Sequence, residues 1–321
     1  MPTEDTRAGR ARFPGRDLFR RPGARKIGCF RRAAGGRRNP GGSLDGGMEE
    51  VVYSADSQLR TPGAFAAALR SDLRVAPPVA WHLFVRRLQA GYRQSWLGYL
   101  WLLLPPLATS AAWVYLNSAR ILDVGRTDLP YPVYVLTGTL LWQVFADALG
   151  APLQQLTAAR AILTKSRIPH EAVLLAGMVE VAFNFLVRLA VLVPVLLWWG
   201  VRWSPSLLLA PLGVAALLLL GVSVGLLLTP GGLLYQDVSR GLTLALGIWF
   251  FLTPVIYPPA ASGPAAWNPV APLLVATRGW LTGAAAPAGP GFAAVAAASA
   301  AGLAVGWGCY RLARPHLVSR L

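Results

Sequence analysis

Residues 86–106 read RRLQAGYRQSWLGYLWLLLPP. A cationic, amphipathic run becomes purely apolar without a break. Arg86, Arg87 and Arg93 suit a lipid headgroup surface, while residues 97–107 carry no charge and must leave water. A chain that changes solvent within a few residues is entering a bilayer from its positive side. The change recurs along the sequence, so the reading is a polytopic membrane protein. Composition agrees: 55% of residues are hydrophobic, only 14% are charged, and the mean hydropathy is +0.47, against about a quarter charged in soluble domains.

Crossing ~30 Å of hydrocarbon takes ~20 apolar helical residues. Six segments qualify, near 97–117, 131–150, 172–199, 206–228, 239–257 and 290–311. Isolated spans must satisfy their own backbone, which makes them helices. The expected fold is therefore an all-α integral membrane protein with six transmembrane helices. With the N-terminus inside, the inner segments hold thirteen Lys and Arg. The outer ones hold four: Arg120, Arg126, Arg202 and Arg278. That asymmetry puts both termini in the cytoplasm. Residues 48–96 form a cytoplasmic segment, 97–311 the transmembrane domain and 312–321 a cytoplasmic tail. Within 79–95, an interfacial helix places Trp81, Phe84 and Leu88 on one face. Trp81, Trp96, Trp101, Trp198, Trp199, Trp203 and Trp280 fall near span ends, as interfacial belts do.

Little in the chain suggests catalysis. It has no GxxxxGK[ST] loop and no HExxH, and its three histidines, His82, His170 and His316, are far apart. Cys29 and Cys309 make no metal or redox pattern. Gly221-Val222-Ser223-Val224-Gly225 matches a nucleophile elbow, but it lies in an apolar span, where small residues at helix-packing spacing account for it. The intramembrane charges Asp147, Glu180 and Arg188 are few. Glu180 and Arg188 lie two turns apart on nearly one face and either form structural ion pairs or line a polar path. The segment 154–171, with Leu156, Ile162, Leu163, Arg160, Lys165 and Arg167 and ended by Pro169, reads as a short amphipathic helix on the inner surface. Its five prolines break 251–269, FLTPVIYPPAASGPAAWNP, which reads as a re-entrant or outer-face element before the last span, with a plain outer loop as the other reading.

With these pieces placed, residues 75–311 resemble the permease subunit of type-2 ABC exporters for polysaccharides and polyol phosphates (O-antigen, capsule, teichoic acid). The landmarks occur in order. Tyr92-Arg93-Gln94-Ser95, Leu97-Gly98, Leu100-Trp101 and Pro105 resemble the entry to the first span. Tyr131-Pro132, Gly138 and Trp142 resemble the second. Ile162, Lys165 and Pro169 resemble the coupling segment, and Tyr235, Asp237 and Val238 a YRDV loop in which Gln236 replaces arginine. Residues 251–258 with Asn268-Pro269 are similar to the outer-face signature. The resemblance implies a homodimer, two separate ATP-binding subunits that hold ATP and Mg, and no cofactor in this chain. It also implies a lipid-linked glycan as cargo, a cell (inner) membrane location among membrane lipids, and no nucleic acid. ATPase coupling falls to Arg160, Ile162, Lys165, Arg167 and Pro169, beside the interfacial Arg86, Arg87, Tyr92 and Arg93. A hydrated polymer favours aromatic platforms, for which Trp142, Phe145, Trp249, Phe250 and Tyr257 are candidates. A drug or lipid exporter on the same scaffold is the alternative. A membrane glycosyltransferase or polymerase would need acid pairs that Asp123 with Asp128 does not convincingly supply.

Half of the net charge of +16 lies in residues 1–47, with twelve Lys and Arg against four acids. This Gly/Pro/Arg-rich leader has no apolar run and reads as disordered, or as a lipid- or nucleic-acid-binding arm. Met48, followed by Glu49-Glu50, is the expected initiator. Mass-spectrometric mapping of the native protein should then find no peptide from before Met48; such a peptide would overturn the assignment.

Overall fold

The computed structural model of the chain describes residues 62–93, 96–121, 124–163, 168–201, 204–259, 267–283 and 289–318. Among them every regular element is a helix. In chain order these are α1 (Pro62–Arg93), α2 (Leu100–Ser118), α3 (Tyr131–Leu163) and α4 (His170–Trp198). A 3-10 turn (Pro205–Leu209) leads into α5 (Ala210–Leu234), followed by α6 (Gln236–Leu252), α7 (Val270–Thr282) and α8 (Pro290–Val318). α3, α4, α5 with its leading turn, and α8 are long and apolar enough to cross a membrane. α2 and α6 stand where the first and fifth spans were expected but are not among those four: α6 has only 17 residues, and α2 carries Pro105 and Pro106 inside its 19.

The core is the contact between α3 and α5. A Cβ added at Gly221 would fall 2.7 Å from both the Ala148 Cβ and the Phe145 carbonyl oxygen. One added at Gly225 would strike the Leu149 carbonyl oxygen. Two glycines four residues apart let the α5 backbone lie directly on that of α3, the close approach small residues permit between membrane helices. Ser223, between them, faces α8, where Gly302 and Gly306 leave room for Ser223 and Leu226. The elbow-like pentapeptide is thus a packing device between three helices. α4 lies on α3 and α1 on α4, while α7 sits against α3, α5 and α8.

Three expectations are corrected. The interfacial helix expected at 79–95 is the second half of a 32-residue α1. Its buried stripe is Ala76, Ala80 and Phe84, with Trp81 exposed, because small residues one turn apart let α1 press against α4. The short inner-surface helix expected at 154–171 does not stand alone. α3 runs on to Leu163 because Leu156 and Ala159 find partners in Val173 and Tyr310, and Pro169 precedes α4 in an extended conformation. Trp280 is no belt residue: it is buried, its ring 5.2 Å from that of Phe292. Trp96 and Trp198, by contrast, are strongly exposed. The leader 1–47, Trp203, Lys165, Arg167, the side chains of Tyr92, Arg93 and Ile162, and the last residues of the tail lie outside the described residues.

Gly225→Leu should lower the thermal stability of the purified protein by about 1–3 kcal/mol, the usual cost of overpacking. Gly308→Leu, whose Cβ would meet nothing within 4 Å, should leave stability unchanged. Equal effects would show that the α3–α5 contact does not govern stability.

Candidate functional site

Where α6 ends, the chain passes through Thr253–Pro259 without regular structure, yet Thr253, Pro254, Val255 and Ile256 are buried. Buried irregular backbone needs hydrogen-bond partners from elsewhere, and here side chains supply them. The Tyr134 hydroxyl donates to the Tyr257 carbonyl (2.8 Å), and Arg278 Nη1 to the Pro254 carbonyl (3.1 Å). The Tyr257 hydroxyl donates to the Phe251 carbonyl (2.6 Å). The Val255 carbonyl oxygen lies against Gly138 of α3, where a side chain would collide with it. Arg278 itself is buried, its guanidinium carbon 3.7 Å from the centroid of the Tyr134 ring.

Asn268 ties this segment to both neighbouring helices. Its Oδ1 accepts from Trp249 Nε1 (3.0 Å) and from the Val270 amide (3.0 Å). Its Nδ2 donates to the Leu252 carbonyl (3.2 Å) and to Thr253 Oγ1 (2.7 Å). An asparagine amide offers two donors and an acceptor oxygen with two lone pairs, so all four positions are used. One side chain closes the end of α6 and the start of α7.

Four of the five aromatic candidates come together beside this hub. Trp142 lies 5.3 Å from Phe145, 5.8 Å from Phe250 and 6.5 Å from Trp249, and Phe145 lies 5.2 Å from Trp249, all between ring centroids. The contacts from Trp142 to Trp249 and Phe250 and from Phe145 to Trp249 are edge-to-face, a favoured aromatic geometry. Trp142 and Phe145 are buried, whereas Trp249 and Phe250 are half-buried. Tyr257 stands apart, within the hydrogen bonds to Tyr134 and Phe251.

Of the intramembrane charges, Glu180 and Arg188 do not meet each other. Arg188 pairs with Asp147 of α3 (2.7 Å). Glu180 accepts from Gln155 Nε2 (2.8 Å) and lies 3.6 Å from Arg87 of α1. Each thus joins two helices, as charges in low dielectric must. At the far end of the bundle from α7, Glu171 in the first turn of α4 binds Arg311 of α8 (2.7 Å), both almost wholly buried. The neighbouring His170 Nδ1 and Tyr310 hydroxyl share a hydrogen bond of 2.5 Å. Of the coupling candidates, Arg160 is exposed near the end of α3 and Pro169 abuts α4; Arg86 is exposed on α1.

Sequence reasoning missed the roles of Arg278 and Glu171. Arg278 counts as an outer-loop cation only while 270–282 is taken for a loop. The signal was a lone arginine inside the apolar run VAPLLVATRGWLT. Glu171 was hidden because its partner Arg311 is 140 residues away.

Three curated proteins resemble the chain. It is 28% identical over 177 residues to the O-antigen export system permease protein RfbA of Myxococcus xanthus, a match covering 55% of this chain and 66% of that protein. It is 26% and 25% identical over 198 residues to two proteins of the same name from Klebsiella pneumoniae, covering 60% of this chain and 75% of each. The chain is a relative of the O-antigen export permeases. The match spans just under two thirds of the M. xanthus protein, and no protein-family model matches the chain. The resemblance drawn from the sequence landmarks to exporter permeases is borne out by these relatives. Four apolar helices long enough to span make this relative of the permeases a membrane protein.

Asn268→Ala would take a partner from four hydrogen-bonding groups, of which the Thr253 hydroxyl keeps its bond to the Trp249 carbonyl, at about 1–3 kcal/mol for each that is left dry and unpaired. Trp249→Phe removes one donor and keeps a ring. Thermal unfolding should therefore fall much further for Asn268→Ala than for Trp249→Phe; the reverse order would mean that Asn268 does not hold this end together.

Proposed function

We propose that the chain is the transmembrane permease subunit of an ATP-driven ABC exporter that moves a lipid-linked polysaccharide or polyol phosphate polymer out of the cytoplasm. The observation that carries this reading is the similarity, over more than half of the chain, to three O-antigen export permeases. In the proposed topology α2, α3, α4, α5, α6 and α8 are the six spans and both termini are cytoplasmic. Thr253–Pro259 with α7 forms a re-entrant outer-face element, and α1 lies along the inner surface.

Helix length supports a place for the ATPase. α3 has 33 residues, about 50 Å at 1.5 Å per residue, against ~30 Å of hydrocarbon. With Tyr131 at the outer boundary, roughly 20 Å of α3 projects inside and carries Arg160 with it. The buried Glu171–Arg311 pair joins the helix that follows this projection to α8, so movement of a docked ATP-binding subunit would reach two spans together. Nucleotide can drive the pore only if docked states differ in contact energy, and a rigid lever makes such a difference felt at a distance.

α6 supports a homodimer. None of its residues is buried, and Leu244, Ile248 and Phe251 are exposed. A second copy facing α6 would place Trp249 and Phe250 at the edge of the pathway and Tyr257 at its outer mouth, with Trp142 and Phe145 as the packed support behind them.

The test uses one tagged preparation with Cys29 and Cys309 replaced by serine and Ile248→Cys added, extracted mildly from native membranes. Mass spectrometry should find a separate ATP-binding-cassette protein, and oxidation should yield a cross-linked dimer. Absence of the ATPase under conditions that keep known ABC complexes intact would overturn the exporter reading.

A further inference from the structure

Between α1 and α4 lies a niche of about 160 Å³ that the transport reading does not use, lined by Phe84, Arg87, Gly91, Tyr99, Glu180 and Asn184 among others. It is comparable in size to the ~150 Å³ cavity that suffices for benzene, but it is open on one side and lined by both polar and apolar groups. Arg87 and Glu180 stand side by side at 3.6 Å, longer than a close charge-assisted bond, and each side chain keeps about a third of its surface open (32% and 37%). Gln155 fixes the carboxylate from behind. Phe84 and Tyr99 both pack on Phe183, with ring centroids 5.7 and 5.5 Å away, and form an aromatic wall. A Cβ at Gly91 would meet nothing within 4 Å, so the absence of a side chain there keeps the niche open.

Depth identifies what the niche faces. Counting back from the exposed Trp198 and Trp199 the ~20 residues that cross the hydrocarbon reaches roughly residue 179, next to Glu180. The niche therefore opens at the headgroup level of the leaflet near the start of α4.

We propose that it binds the headgroup of a zwitterionic phospholipid of the phosphoethanolamine type. An anion alone would satisfy Arg87 and be repelled by Glu180, and a cation alone would do the opposite. A headgroup carrying phosphate and ammonium a few ångströms apart matches the two side-by-side charges. Its ammonium meets Glu180 with the Tyr99 ring beside it, a pairing aromatic rings favour, and its phosphate meets Arg87. Asn184 adds a donor and an acceptor at the mouth. The site rests on the chain's being a membrane protein and not on its cargo.

The test places the full chain, with any ATPase that co-purifies, in nanodiscs of equal phosphatidylethanolamine and phosphatidylglycerol and counts retained lipids by native mass spectrometry. The wild type should retain phosphatidylethanolamine over phosphatidylglycerol. Glu180→Gln, which removes a charge-assisted contact, should lower that ratio about tenfold. Gly91→Leu should do the same by filling the niche, leaving the ion pair and thermal stability intact. No preference in the wild type, a preference for the anionic lipid, or a Gly91→Leu variant that keeps the wild-type ratio would each overturn the proposal.

Discussion

The backbone contact between α3 and α5 is the constraint on which the other helices depend. Lipid tails are as apolar as leucine, so helices in a bilayer gain little by merely hiding apolar surface, and close packing must hold them together. Each atom pair contributes only ~0.1–0.2 kcal/mol at optimal separation, and many pairs form only if the backbones can touch. Gly221 and Gly225 allow that on one side of α5, and Gly302 and Gly306 allow it on the side facing α8. Once α3 and α5 are joined, Trp142 and Phe145 sit where α6 passes, and Gly213 of α5 meets Thr277 of α7. The placement of the short helix and of the aromatic cluster follows from those few missing side chains.

Polar groups then decide which of the possible packings is unique. A buried charge costs several kcal/mol unless it is paired and hydrogen-bonded, so each pair commits its two helices to one register. Asp147–Arg188, with its arginine buried, sets α3 against α4, and the buried Glu171–Arg311 sets α4 against α8; the partly open Arg87–Glu180 pair adds a weaker tie between α1 and α4. α4 takes part in all three. It is the helix through which the periphery is keyed to the core, and its first turn follows the segment proposed to receive the ATPase. Asn268 and Arg278 play the same part at the other end, where they bind backbone that no helix satisfies.

Much of this was legible because it rests on local pattern. Apolar runs marked the helices, and the prolines of 251–269 marked the place where regular structure stops. The small residues of GVSVG marked a packing seam. What was not legible depends on partners distant in sequence. Nothing near Leu156 shows that it would find Val173 and Tyr310 and so keep α3 helical beyond the expected end of its span. Nothing near Glu180 selects Arg87 over Arg188, since helical spacing shows which residues share a face and not what that face meets. Trp280 reads as a belt residue because aromatic residues at helix ends usually are; only the docking of α7 under Phe292 buries it. Trp142, Phe145, Trp249 and Phe250 were grouped by residue type, and the structure gathers them, but their rings pack largely on one another.

The segment expected as a fifth span, 239–257, becomes a helix and an irregular tail, and the division has a physical cause. α6 contributes 17 residues, about 25 Å, some 5 Å short of the ~30 Å hydrocarbon layer. A helix that short must thin the bilayer or receive help at its end. Thr253 to Tyr257 supply that help as an extension whose Tyr257 and Pro254 carbonyls accept from Tyr134 and Arg278, while Asn268 takes the Leu252 carbonyl at the end of α6. Continuing the helix would have needed no such partners, but Pro254 and Pro258 forbid it. In the proposed topology the outer part of this span is therefore held by side chains of α3 and α7 and by the Asn268 that precedes α7. A movement of α6 would have to break those hydrogen bonds or carry α7 with it, so the outer-face element and the helix proposed to line the pathway are mechanically one unit.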